Sequence, residues 1–127
     1  MILSHICAAL FSITYGMIEA LIIDMGFDPG DWNSLFGKFS KRYHIPMGTL
    51  FLIVAVGLGV PEDLPGMILI EDRSYFAFSQ KDKLTEKSWV TGSWGGGYIL
   101  GQYIPKVYLA LALLQACLIN FLYWRAI

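Results

Sequence analysis

Two ionisable side chains, His5 and Glu19, lie inside the first apolar stretch of the chain, which covers residues 2–23. An ionisable group at the centre of a membrane span costs roughly 2.5–3.5 kcal/mol on insertion scales, so it should face protein or water. These two residues could therefore relay protons or cations. We favour a structural role, in which Glu19 bonds to a neighbouring helix or reaches the membrane interface. At about 1.5 Å of rise per residue they lie roughly 21 Å apart in one helix and cannot contact each other.

Other residues of chemical interest are isolated. Gln115 and Asn120 lie in the last apolar stretch, where they are candidates for hydrogen bonds between helices. Cys7 and Cys117 show no metal-ligand spacing. The glycine-rich run 92–97 lacks the order of a phosphate-binding loop, and no motif of a known hydrolase or metalloprotease occurs. We therefore expect no enzyme activity, no metal, no cofactor and no nucleic-acid partner.

The first apolar stretch carries a regular series of small residues. At every fourth position stands a small side chain: Ser4, Ala8, Ser12, Gly16 and Ala20. Small residues allow the backbones of membrane helices to approach closely. His5 and Glu19 fall on the same face as this series, because residues seven apart lie on one side of a helix. The pattern predicts one face that packs on another helix and an opposite face that contacts lipid.

Long uncharged segments predict an all-α integral membrane protein in one domain. Of the 127 residues, 56% are apolar and 15% are charged, whereas a soluble domain has about 25% charged residues. A membrane span needs about 20 helical residues. We predict three spans, at residues 2–23, 45–60 and 107–124. The middle one is short and could instead be a re-entrant segment or a buried helix. We read the first as a retained span rather than a cleaved signal peptide.

The segment 29–43 predicts an amphipathic helix lying on the membrane surface. Aromatic residues recur there at helical spacing, and basic residues occupy the other side. Such a pattern suits the lipid headgroup region, and packing on a protein partner is the alternative. The predicted interface residues are Trp32, Phe36, Lys38, Phe39, Lys41 and Arg42, with Trp124 and Arg125 as an anchor at the other end of the chain.

The remaining predictions concern the other spans and the connection 61–106. Ala55 and Gly59, four residues apart, are expected to pack against another helix. The connection is expected to be extramembrane and polar. Two β-prone runs within it, at 67–70 and 74–79, predict a small hairpin. The distribution of basic residues favours an external N-terminus and an internal C-terminus.

Part of the chain resembles a bacterial membrane protein family. The runs GFDPGDW and FSKRYHIPMGTLFLIVAVGLG are similar to a loop and span of YczE/YitT-type proteins, across about residues 26–60. The order of Asp31 and Trp32 is reversed relative to that family. The resemblance implies a polytopic protein of the bacterial cytoplasmic membrane and transfers no active site.

These observations lead to three hypotheses about function. The first is a non-catalytic subunit that associates through its helices with other membrane proteins or with itself, surrounded by lipid. The second is a small transporter, channel or holin-like pore that uses the polar face of the first span. The third is a membrane-embedded lipid enzyme. Water-accessible Glu19 would favour the pore, and co-purification with a larger partner would favour the subunit.

Overall fold

A computed structural model describes residues 2–25, 44–80, 83–84 and 96–123. Within this part, four helices and one hairpin occur, which confirms the predicted predominantly helical fold. The helices are α1 (Ile2–Asp24), α2 (His44–Gly57), α3 (Leu64–Phe78) and α4 (Lys106–Tyr123), and a 3₁₀ turn (Pro61–Asp63) precedes α3. The strands are β1 (Gly96–Ile99) and β2 (Gln102–Pro105).

Contacts at both ends of α1 fix the directions of the helices. His5 bonds to Asp63 at one end, and Asp24 accepts a hydrogen bond from Ser79 at the other. Helices α1 and α3 therefore run parallel. Tyr123, at the end of α4, lies beside His5, so α4 runs antiparallel to both. Helix α3 is the central element of the assembly because it contacts each of the other three helices.

The small-residue face of α1 packs against α3 of the same chain. Ala8, Ser12, Gly16 and Ala20 are buried, and Ser4 is half-buried. The closest approach is at Gly16, where an added Cβ atom would lie only 2.4 Å from the carbonyl oxygen of Glu71. The buried Ser12 hydroxyl donates a hydrogen bond to the Ala8 carbonyl oxygen of its own helix at 2.9 Å, so it needs no partner on α3. The packing partner of the series is thus inside this chain.

Helix α2 supplies the main apolar core and ends at a left-handed glycine. Phe51 is fully buried and meets the Phe11 and Tyr15 rings at 5.2 and 5.1 Å. Ala55 is also buried in this core. The packing role predicted for Gly59 is wrong. Gly59 is exposed with φ of +76°, because it terminates the helix in a Schellman motif closed by the Val60 N–H on the Ala55 carbonyl at 2.8 Å.

Two predictions about the middle of the chain are corrected. Residues 67–70 and 74–79, predicted as a hairpin, belong almost entirely to α3. Their β-prone side chains gain more from packing on α1 than from pairing as strands, so tertiary context overrides local preference. The predicted middle span, 45–60, contains a helix of 14 residues, which reaches about 21 Å and is shorter than a hydrocarbon core of ~30 Å.

The hairpin that does form lies further along the same connection. Strands β1 and β2 pair antiparallel, with Gly96 opposite Pro105 and Ile99 opposite Gln102. Leu100 and Gly101 make the two-residue turn, with φ of 52° and 78°. Positive φ at both positions is the signature of a type I′ turn. After the turn, strand β2 continues directly into α4, which begins at Lys106.

Two helices, α1 and α4, are long and apolar enough to cross a membrane by length and composition. Core helices of soluble proteins can meet the same criterion, but few residues of these two helices are buried. Leu3 and Leu113 are 72% and 66% exposed. Their outer faces present large apolar side chains, which include Leu10, Leu21, Leu109, Leu114 and Phe121.

The directions of the helices bring the beginning of α1 and the end of α4 to the same end of the assembly. Three spans would place the two ends of the chain on opposite sides. The beginning of α1 and the end of α4 instead lie together, with 3.2 Å between the Tyr123 hydroxyl and His5 Nε2. The reason is that α3 runs parallel to α1, and α4 returns antiparallel to both.

Candidate functional site

The first polar group inside the assembly, the histidine cluster, consists of His5, Glu62, Asp63, Gln115 and Tyr123. Helix α1 supplies the imidazole, the 3₁₀ turn supplies both carboxylates, and α4 supplies the amide and the phenol. Pro61 at the start of the turn presets the backbone φ of its first residue. Consecutive residues of the turn point in different directions, so Glu62 meets Tyr123 while Asp63 meets His5 and Gln115.

Hydrogen bonds connect the whole histidine cluster. His5 Nδ1 lies 2.5 Å from Asp63 Oδ2, and Gln115 Nε2 donates to Asp63 Oδ1 at 3.3 Å. The Gln115 carbonyl accepts the Gly66 N–H at 2.8 Å, which satisfies one of the open donors in the first turn of α3. The Tyr123 hydroxyl donates to Glu62 Oε1 at 2.5 Å. The imidazole is thus held in one orientation by a carboxylate that is itself held by an amide.

The histidine cluster carries an excess of negative charge. Glu62 and Asp63 are each 9% exposed. The His5–Asp63 contact becomes an ion pair when the imidazole is protonated. A protonated imidazole would balance one of the two carboxylates. Among the described residues, the hydrogen-bond partner of the other carboxylate, Glu62, is the neutral phenol of Tyr123.

Two features give the histidine cluster room and ligand atoms. His5, Glu62 and Asp63 each offer one atom suited to a metal, and these three atoms lie within 4.8 Å of one another. The cluster also borders a cavity of about 480 Å³ between α1, α3 and α4. Apart from the cluster members, the cavity wall is mainly apolar and includes Ala8, Met67, Ile70 and Ile119.

The second polar group, the carboxyl cluster, lies toward the other end of the same three helices. It consists of Glu19 on α1, Glu71 and Asp72 on α3, and Tyr108 on α4. Glu71 and Asp72 are 3% and 6% exposed. Because neighbouring residues of a helix point about 100° apart, Glu71 turns to Glu19 and Asp72 turns to Tyr108, whose hydroxyl donates to its carboxylate.

The contact between Glu19 and Glu71 requires a proton. Their carboxyl groups lie close enough to share a hydrogen bond. An ionised carboxylate only accepts hydrogen bonds, so one member of the pair must be protonated. Among the described residues, no basic side chain forms an ion pair with either of them. Glu19 Oε2 is enclosed and has no hydrogen-bond partner in the described part of the chain. A hydrogen bond between the two carboxyl groups would therefore contain one proton.

The structure distributes the predicted polar residues unequally. His5 and Gln115 join the histidine cluster, and Glu19 joins the carboxyl cluster. The interhelical bond expected for Asn120 is wrong: it is exposed, and its side chain bonds to the Ala116 carbonyl of its own helix at 2.9 Å. The predicted interface residues lie outside the described residues: Trp32, Phe36, Lys38, Phe39, Lys41, Arg42, Trp124 and Arg125.

The sequence interpretation missed both pairs of acidic residues on either side of the first half of α3. Glu62-Asp63 and Glu71-Asp72 were assigned to a polar loop because charges usually mark solvated segments. A signal for them exists. The apolar run between the pairs is too long for a turn, and Pro61 and Pro65 stand where a helix would begin. In the sequence, Tyr108 and Tyr123 look like any tyrosine in an apolar segment. Their hydrogen bonds to Asp72 and Glu62 are visible only in the structure.

The comparisons with known proteins identify no relative. No protein-family model, no curated protein and no solved structure matches the chain. The resemblance to YczE/YitT-type proteins therefore stays a prediction. The evidence for a function therefore lies in the geometry and charge of the histidine cluster and the carboxyl cluster.

Proposed function

We propose that this protein is an integral membrane protein that moves protons or cations by way of ionisable groups enclosed between its helices. This is the second of the three hypotheses drawn from the sequence. The observation that carries the proposal is the enclosed pair of acids Glu19 and Glu71, which face each other between α1 and α3 with Glu71 3% exposed and Glu19 Oε2 buried.

The distribution of polarity supports a membrane setting. Four acidic side chains, Glu62, Asp63, Glu71 and Asp72, are buried, while large apolar side chains of α1, α2 and α4 are exposed. In water this arrangement is unfavourable on both counts, since buried charges lose hydration and exposed apolar surface is not removed from solvent. In a bilayer the outer faces contact hydrocarbon and the polar groups turn inward. Location in the bacterial cytoplasmic membrane is part of the proposal and rests on the family resemblance alone.

The carboxyl pair supports proton handling. Ionisable residues within membrane helices mark proton or ion pathways by default, because their insertion is costly. A pair that shares one proton can accept a second proton and release it again while the shared proton keeps the two groups in contact. Glu19 Oε2 is enclosed in this conformation, which argues against a permanently open pore and favours a gated relay or a transporter.

The subunit hypothesis was based on the small-residue face of α1 as a surface for binding a partner. The small-residue face of α1 is occupied by α3 of the same chain, so it is not free to bind a partner. Association with other membrane proteins or with further copies stays a prediction, as does the lipid-enzyme hypothesis.

Proton flux into proteoliposomes tests the proposal. Vesicles containing the full chain and a pH-sensitive dye are exposed to a pH gradient or an imposed potential. We expect flux above that of empty vesicles, reduced at least tenfold by Glu71→Gln. The amide of this variant keeps the size of the side chain and a bond to Glu19, but it cannot release a proton.

Asp24→Asn is the matched control. It removes a carboxylate from the end of the same helix pair, where Asp24 bonds to Ser79 and Gln80 outside both clusters. Flux in this variant should stay near that of the wild type. Size-exclusion profiles show whether each variant is assembled. Flux equal to that of empty vesicles, or full flux in assembled Glu71→Gln, would refute the proposal.

A further inference from the structure

We infer that His5, Glu62 and Asp63 form a binding site for a divalent transition-metal cation, with Zn²⁺ or Mn²⁺ as the fitting class. This site is separate from the carboxyl cluster, so the inference goes beyond the proposed proton function and does not depend on it. It departs from the expectation, drawn from sequence spacing, that the chain binds no metal.

Ligand atoms converge at one position in the histidine cluster. The Tyr123 hydroxyl oxygen lies 2.5 Å from Glu62 Oε1 and 3.2 Å from His5 Nε2. A carboxylate oxygen and an imidazole nitrogen are therefore both directed at a single small volume. A cation that entered there would take the place of the phenol hydrogen, with Tyr123 at its edge.

Asp63 prepares His5 to act as a ligand. Its Oδ2 lies 2.5 Å from His5 Nδ1, so it accepts the proton of that nitrogen and leaves Nε2 to donate its lone pair. A carboxylate that orients a histidine in this way is a regular feature of metal sites. Gln115 and Gly66 hold the arrangement from behind through the bonds of 3.3 and 2.8 Å. The cluster is thus ordered in the manner of a preformed site.

The negative charge of Glu62 and Asp63 favours the binding of a cation. Two carboxylates, each nine-tenths buried, face one imidazole. Burial of a charge is costly unless it is paired or coordinates a metal. His5 is neutral when it acts as a ligand, so the two carboxylates carry two negative charges, which a divalent ion would offset. The tyrosine hydroxyl offers only a neutral dipole.

The ligand types select the class of ion. Imidazole nitrogen suits zinc, copper, iron and nickel, and carboxylate oxygen suits harder ions such as manganese. A mixed set of imidazole nitrogen and carboxylate oxygen, with Asp63 orienting the imidazole, favours Zn²⁺ or Mn²⁺ over Mg²⁺, which prefers oxygen ligands and retains its waters. The adjoining cavity of about 480 Å³ leaves space for a water or another ligand at the open coordination position.

Isothermal titration of the purified, untagged full chain in detergent with Zn²⁺, Mn²⁺ and Mg²⁺ tests the site. We expect saturable binding of about one Zn²⁺ or Mn²⁺ per chain and none of Mg²⁺ at the same concentrations. His5→Gln and Glu62→Gln should each weaken the binding at least tenfold. Asp24→Asn, which also loses a carboxylate of the same helix assembly, should bind as the wild type does.

A second measurement keeps the test decisive if a variant fails to fold. Zn²⁺ should raise the Tm of the wild-type protein in proportion to the logarithm of its concentration, because it binds the folded state. No saturable binding and no Tm shift in the wild type, or undiminished binding in folded His5→Gln, would overturn the inference. Metal binding without proton flux would refute the proposed function alone, and flux without metal binding would refute this site alone.

Discussion

The histidine cluster and the carboxyl cluster lie between the same three helices, but their buried acidic groups have different kinds of hydrogen-bond partner. In the histidine cluster, donors and acceptors alternate: the imidazole, the Gln115 amide and the Tyr123 phenol each meet a carboxylate. In the carboxyl cluster, two acids meet each other directly. Tyr108 donates only to the neighbouring Asp72.

The difference decides which ion each cluster can hold. Mixed nitrogen and oxygen groups around an excess of negative charge favour a metal cation. Two carboxyl groups in contact favour a proton, since a shared proton is what allows them to be in contact at all. If both proposals hold, one scaffold offers separate positions for two kinds of cation, close to opposite ends of the assembly.

The largest expected effect comes from the tight packing at the carboxyl cluster. Gly16→Ala places a Cβ atom 2.4 Å from the Glu71 carbonyl oxygen, so α1 and α3 must separate. We expect a loss of about 1–3 kcal/mol from overpacking, seen as a lower Tm by circular dichroism in detergent.

Gly48→Ala is the matched helical control. A Cβ atom there meets nothing within 4 Å, and alanine is the better helix former by about 1 kcal/mol. Its Tm should be unchanged or higher. An equal loss of stability in both variants would show that the close contact of α1 with α3 is wrongly assigned.

A matched pair of tyrosine changes compares the clusters directly. Tyr108→Phe leaves a carboxylate oxygen of the buried Asp72 without this donor, which should cost about 1–3 kcal/mol. Tyr123→Phe should have a smaller effect, because the Tyr123 side chain itself lines the cavity, from which water can replace the lost hydroxyl. Thermal unfolding of both variants under one condition measures the order, and a greater loss in Tyr123→Phe would contradict the comparison.

The smallest effect concerns the two amides of α4. Gln115→Leu removes the acceptor for the Gly66 N–H and the donor to Asp63, and should cost about 0.5–1.5 kcal/mol. Asn120→Leu should be neutral or stabilising, since Asn120 is exposed and bonds only within its own helix. The Tm values of the two variants in lipid nanodiscs, compared with that of the wild type, test this prediction. Equal losses would mean that Gln115 does not bridge the helices.

Some features of the fold could be predicted from local pattern. The α1 face with Ala8, Ser12, Gly16 and Ala20 is visible because helical periodicity places every fourth residue on one side. The same periodicity brings His5 and Glu19 onto that face. Gln115 was recognisable as a polar residue that needs a partner within an apolar helix. The identity of each partner was not recognisable.

Other features depended on contacts that no local window contains. Residues 67–79 have β-prone composition, but they become helical because α1 offers a surface of small residues on which a helix fits. Gly59 continues the small-residue spacing, yet it ends α2 because its φ is positive. The Leu100–Gly101 turn places a leucine in a conformation that its side chain disfavours.

By itself the sequence determined the apolar helices, the packing face of α1 and the presence of ionisable groups within them, because these follow from the types of residues one or two turns apart. Only the tertiary structure decided that α3 is a helix and that it carries the acids of both clusters. His5 meets Asp63 across 58 residues and Tyr123 across 118. Contacts over such distances depend on how whole helices pack, and the energies that select them are shared among many residues.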